Sequence, residues 1–151
     1  HRESRGLGDV YKRQLQLLGD MVGAAGIPVL GAVAAGGLVT AFDDVQEHLD
    51  LAPVLETRGL FALTVNGDSM VDSHIADGDV VLMEPVQDPQ RLRNGTVVSA
   101  LVAGSGTTLK HFRRQGATVV LEAANPAYQP IELPAEQVEV QGRLVAVWRQ
   151  V

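Results

Sequence analysis

The amino-acid sequence predicts an all-β fold of coiled sheets, on three observations. Aromatic residues are scarce at 4%, glycines number 16, and valine is frequent, which suits short strands and tight turns better than long helices. Apolar residues recur at period 2 in short stretches, most clearly Phe61, Leu63 and Val65. Turn signals built from Gly, Asn, Asp and Pro return roughly every eight to twelve residues, the spacing of a barrel or coiled sheet.

Composition sets the bounds. At 151 residues, 46% hydrophobic and 20% charged, the chain fits one globular domain with enough length to bury a core. A net charge of −6 and a pI near 5.1 argue against this chain gripping a nucleic-acid backbone by itself, which takes clustered Lys and Arg. There is no cysteine, which excludes disulfides, thiolate metal sites and thiol catalysis. His1, His48, His74 and His111 lack metal-ligand spacing, so neither metal nor cofactor is expected.

Residues 1–14 match nothing downstream, and Gly6-Leu7-Gly8-Asp9-Val10-Tyr11-Lys12-Arg13-Gln14 resembles translated adapter sequence. They are read as a non-native leader, residues 15–26 as a linker remnant, and the natural N-terminus is expected to be missing. Met21–Phe42 carries no charge, but its glycines and Pro28 make it a poor membrane span, and Asp20 counts against a secretory signal. Within it, Gly31-Ala32-Val33-Ala34-Ala35-Gly36-Gly37 has almost no side chain and can lie extended in a narrow groove. Asp43–Arg58 reads as a solvated connection with one helical turn.

Phe61–Met70 is an alternating segment that runs into Gly67 and sets Ser69 at a turn. Asp77-Gly78-Asp79 signals a turn before a buried strand, Val80–Met83. Asp88–Gly95 is a loop, Thr96–Ala103 a strand, and Gly104-Ser105-Gly106 the connection to a hairpin partner, Thr107–Arg114. Thr118–Glu122 is the next strand, Asn125–Pro130 a loop, and Val138–Arg149 a long final strand with a candidate pairing edge at Val140–Trp148.

A serine needs a base to become a nucleophile. His74 and His111 keep a Ser-His-Asp arrangement open. Lysine usage is more informative: outside the leader the chain has only Lys110, against seven arginines. Arg does not release its proton in a protein, whereas a buried Lys does. Strand alternation puts Thr108, Lys110 and Phe112 on one face, so Lys110 can point into an apolar interior. The competing reading is an exposed edge-strand lysine that discourages aggregation.

Gly67-Asp68-Ser69-Met70-Val71-Asp72, Asp77-Gly78-Asp79, Arg93-Asn94-Gly95 and Thr108-Leu109-Lys110, with Ala34-Ala35-Gly36 upstream, together resemble the self-cleaving LexA/UmuD family. The likeness covers about Ile27–Val151, with the elements in the family's order. The interval from Ser69 to Lys110 is a few residues longer than the family's, an excess placed in the Gln87–Arg93 loop. The resemblance implies a mostly β structure with an SH3-like barrel, also akin to signal peptidases. It implies Ser69 as nucleophile, neutral Lys110 as general base, Ala35–Gly36 as the scissile bond of the same chain, and backbone N–H groups at Asp68 and Ser69 as oxyanion donors. It further implies a cytoplasmic homodimer whose cleavage is stimulated by the RecA–single-stranded DNA filament and relieves repression of DNA-repair genes. Operator DNA would be bound only through an N-terminal winged helix-turn-helix domain that is not found before Gly26, leaving 27–151 as the self-cleaving part.

Gly26-Ile27-Pro28-Val29-Leu30-Gly31 is more similar to the LexA branch than to the UmuD polymerase subunits. Other readings are a UmuD-like accessory subunit, a non-catalytic β-barrel interaction module, a GDSL esterase and a signal peptidase. The GDSL reading lacks its C-terminal Asp-x-x-His, and the signal-peptidase reading lacks a membrane anchor.

Overall fold

A computed structural model describes residues 26–29, 35–36 and 47–151. Contacts divide the chain into two compact units, residues 1–56 and 57–151. In the first, strand β1 (Ile27–Val29) pairs antiparallel with β2 (Glu47–Leu49). Gly26 turns in at φ 79°, where a side chain would collide with the Leu49 carbonyl. A single helical turn, α1 (Ala52–Leu55), follows its N-cap Leu51, and Asp50, one residue earlier, accepts the Ala52 N–H at 3.0 Å. The expected helical turn is present, but β2 stands where the residues alone predict a solvated connection. Most of the small-residue groove segment, 31–34 and 37, lies outside the described residues.

The second unit bears out the all-β expectation. Its strands are β3 (Phe61–Thr64), β4 (Val80–Pro85), β5 (Val97–Val102), β6 (Gly106–Gln115), β7 (Thr118–Glu122), β8 (Ile131–Pro134) and β9 (Val138–Trp148). They form one curled antiparallel sheet, a half-barrel in the order β3-β4-β9-β5-β6-β7-β8. β9 joins two groups of hairpins. Its first half, Val138–Arg143, pairs with β5, and its second, Gly142–Trp148, with β4. Register shifts at Leu82/Met83 and Ser99/Ala100, both against β9, add the local bend a coiled sheet needs. Within the expected pairing edge, Val140–Trp148, the part Leu144–Trp148 is paired with β4 alone and Val140 with β5 alone.

At the junction Gly142 is required by packing, since a Cβ there would lie 2.7 Å from the Phe61 ring. One apolar cluster, with Val98, Ala100, Phe112 and Leu121, fills the β5–β8 group. The other gathers Met70, Ile75, Val81 and Met83 under the turn that carries Ser69. β8 was not foreseen. Among the described residues no helix is long and apolar enough to cross a membrane.

Candidate functional site

The turn after β3 is built to present a hydroxyl. Gly67 adopts φ 95°, which a residue with a Cβ rarely does, and its N–H donates to Asp77 Oδ1 at 2.6 Å. The side chain of Met70 is 2% exposed, so it anchors the turn from below while Ser69 stays accessible. A second loop grips the turn from above. The Ser69 carbonyl accepts from the Ala124 N–H at 2.8 Å, and Asn125 Nδ2 donates to the Asp68 carbonyl at 3.0 Å. Tyr128 donates its hydroxyl proton to Asp68 Oδ1 at 2.5 Å, a bond that pushes the phenol's pKa above its ordinary value.

Farther along the loop, Asp79 is 2% exposed. It accepts Arg149 Nε at 2.6 Å and the Ala76 N–H at 2.8 Å. The Arg149 hydrogen bond, more than any other influence, holds its carboxyl at about 2. This bidentate pair ties the end of β9 to the loop between Ser69 and β4.

Lys110 lies on β6, which is hydrogen-bonded to β5 on one side and β7 on the other. It is 7% exposed, so the edge-strand reading falls. Its Nζ donates to Ser69 Oγ at 3.1 Å, to Thr108 Oγ1 at 2.6 Å and to the Leu109 carbonyl at 3.1 Å. Among the described residues no carboxylate pairs with it. Burial without a counter-charge pushes the Lys110 ammonium below the ordinary lysine value. The Thr108 contact follows from period 2, which sets residues two apart on one face of a strand.

Ser69 and Lys110 line a cleft of about 410 Å³, with Leu63, Val65, Val81 and Leu109 as apolar walls and Tyr128 at one side. Among the described residues, no protein acceptor takes the N–H of Asp68, Ser69 or Met70, so the turn offers unspent donors where an anion could form. Of the residues singled out from sequence, Ser69, Lys110 and Asp68 meet here. Ala35 and Gly36 form an exposed turn in the first unit. Among the described residues no histidine hydrogen-bonds Ser69: His111 Nε2 meets Ser73 Oγ at 2.8 Å and its Nδ1 meets the Gly95 carbonyl at 2.9 Å, while His74 holds a left-handed backbone at the end of a 3-10 turn, Val71–Ser73.

Sequence reading missed Thr108, Tyr128 and the Asp79–Arg149 pair as supports. Only Thr108 had a signal, its two-residue offset from Lys110. Groups of acidic and His side chains able to hold a metal are absent among the described residues.

Residues 28–145 match the peptidase S24-like family. The chain is 43% identical over 129 residues to the LexA repressor of Koribacter versatilis, covering 85% of this chain and 60% of that protein. It is 41% identical over 125 residues to the LexA repressor of Gluconobacter oxydans, covering 82% and 51%. With the LexA repressor of Paramagnetospirillum magneticum the figures are 42% over 125 residues, 82% and 52%. The chain thus spans between 51% and 60% of the length of these relatives. By the extent of its match, the chain belongs to the peptidase S24-like family.

Proposed function

We propose that this chain is the self-cleaving part of a LexA-type repressor: a serine endopeptidase acting in cis, with Ser69 as nucleophile, Lys110 as general base and Ala35–Gly36 as the bond cut. The observation that carries the reading is the 3.1 Å approach of Lys110 Nζ to Ser69 Oγ in a buried setting without a counter-charge.

In the neutral amine the two remaining N–H bonds go to the Leu109 carbonyl, which can only accept, and to Thr108 Oγ1. The lone pair then faces Ser69 and receives its proton as Oγ attacks the Ala35 carbonyl carbon. The oxyanion is met by N–H groups at Asp68–Ser69. The ammonium of Lys110 next gives its proton to the leaving Gly36 nitrogen, and the C–N bond breaks. Water, deprotonated by the regenerated amine, releases Ala35 as a carboxylate and restores Ser69.

A substrate in the same chain is worth about 7–11 kcal/mol of the barrier in favourable geometry, which makes a modest site sufficient. Whether 31–37 occupies the cleft is a two-state equilibrium that a partner can bias. In this reading the partner is the RecA–single-stranded DNA filament, the protein is a cytoplasmic homodimer, and operator DNA is held by a part of the whole protein outside residues 27–151. Cleavage then lifts repression of DNA-repair genes.

The test is incubation at alkaline pH followed by mass spectrometry. The expected products end at Ala35 and begin at Gly36, and Ser69→Ala gives neither. An intact parent chain, indistinguishable from Ser69→Ala, would overturn the dyad.

A further inference from the structure

Asn125 lies in the loop after β7, and its side chain is held so that one end alone faces the Ser69 turn. Its Oδ1 accepts the Ala127 N–H at 2.9 Å across Pro126, and its carbonyl accepts the Tyr128 N–H at 3.1 Å, the local turn that an asparagine side chain favours. A backbone N–H can only donate, so the atom facing Ala127 is the oxygen and the amide nitrogen is left for the other side. There Nδ2 donates to the Asp68 carbonyl at 3.0 Å. The turn's own bond to that carbonyl, from the Val71 N–H, is longer at 3.3 Å. The Asp68 carbonyl and the Ser69 N–H belong to one peptide plane, and in a trans peptide they point in opposite directions. Holding the oxygen on the Asn125 side therefore turns the Ser69 N–H away from the loop. That N–H has no protein acceptor among the described residues, and Asp68, Ser69 and Met70 line the cleft. A carbonyl that accepts a hydrogen bond also polarises its own peptide, which makes the N–H at the other end a stronger donor.

We propose that Asn125 is a positioning residue for the oxyanion: its amide, bound to the Asp68 carbonyl, orients and polarises the Ser69 N–H that meets the negative oxygen formed when Ser69 attacks. This rests on the self-cleavage reading for the identity of that oxygen. Charge develops on the oxygen only as Oγ bonds the carbonyl carbon, so a fixed and polarised N–H favours the tetrahedral state over the bound peptide. The three hydrogen bonds of Lys110 Nζ go to Ser69, Thr108 and Leu109, so Asn125 leaves the titration of the amine alone. The next peptide is held in the same way, its Ser69 carbonyl accepting the Ala124 N–H at 2.8 Å. That donor is backbone and survives any substitution, which makes Asn125 the side chain through which the loop's part in the chemistry is read.

The test uses the full chain with Asn125→Ala and Asn125→Asp, each assayed below its own Tm. One readout is the self-cleavage rate across a range of pH. The other is fluorescence anisotropy of a labelled synthetic peptide spanning residues 29–35 that ends in an aldehyde, beside the same peptide ending in an alcohol. Ser69 Oγ adds to the aldehyde carbon as its proton passes to Lys110, leaving an oxyanion as cleavage does, whereas the alcohol forms no such bond. One lost hydrogen bond corresponds to about tenfold. Asn125→Ala should cleave about tenfold more slowly at every pH with the midpoint unmoved, bind the aldehyde about tenfold more weakly, and bind the alcohol within about twofold of the parent. Asn125→Asp keeps an oxygen for the Ala127 N–H but donates nothing, and should lose at least as much. Asn125→Asp cleaving at the parent rate overturns the proposal, as does equal weakening of aldehyde and alcohol, since the fold of the loop would then be the cause. A rate loss that appears only as a shifted midpoint also overturns it, by making Asn125 a modulator of Lys110. If the parent cleaves and prefers the aldehyde while both variants match it, the Asn125 proposal alone falls; a parent that does neither takes the self-cleavage reading down with it.

Discussion

One loop and one strand supply two serine–base pairs side by side. Ser69 meets Lys110 and Ser73 meets His111, four residues apart on the loop and adjacent on β6. Strand alternation sends the two bases to opposite faces, and their surroundings then diverge. Lys110 is buried, without a counter-charge, and at a cleft; His111 is half-buried, with its Nδ1–H taken by the Gly95 carbonyl. The backbone differs as well. The N–H groups of Ser73 and His74 are spent on the Met70 and Val71 carbonyls, whereas those of Asp68 and Ser69 are free of protein acceptors among the described residues. Under the self-cleavage reading, a hydrogen bond to a base does not by itself make a serine a nucleophile; open space and unspent donors beside Ser69 are what separate the two pairs.

The comparison can be broken most decisively with Lys110→Arg. A guanidinium does not deprotonate, so cleavage should fall on the order of a thousandfold at every pH while circular dichroism stays that of the parent. Persisting cleavage would transfer the role to a histidine. A second test follows the proton. Below the lowered value of Lys110 the rate should rise about tenfold per pH unit and level off before the ordinary lysine value of 10.5. Between those two values the unfolded chain holds the extra proton, so folded-state stability should also rise with pH, as denaturation across that window will register. A rate profile independent of pH would remove the amine from the mechanism.

A smaller effect is expected at the loop that grips the Ser69 turn. Tyr128→Phe removes the bond to Asp68 and should slow cleavage severalfold, with little change in Tm. The smallest belongs to the other pair: Ser73→Ala and His111→Gln should leave the rate within about twofold. A large loss from either would show that the second pair acts in the chemistry.

Much of this architecture was legible in the residues themselves. Thr118–Glu122 was read with the bounds the structure gives it, and the other strands foreseen from β4 onward differ only at their ends. β8 escaped because Pro130 and Pro134 enclose the brief alternation of Ile131 and Leu133, and β2 because Glu47-His48-Leu49 is exposed and patternless. At the site, Ser69 and Lys110 stood out through a glycine turn and a scarcity of lysine. Asp79 and Arg149 meet across 70 residues, a distance no local pattern spans.

The position of β9 bears on the life of the newly made chain. Ser69 follows β3 and Lys110 sits on β6, and among the described strands β9 alone is hydrogen-bonded to both groups of hairpins. Synthesis runs from the N-terminus, so both residues of the dyad leave the ribosome before residues 138–148 can join the hairpins that carry them. Under the self-cleavage reading, the nascent polypeptide is spared its own chemistry until the joining strand arrives, and truncation before β9 yields a chain with both residues and no assembled protease.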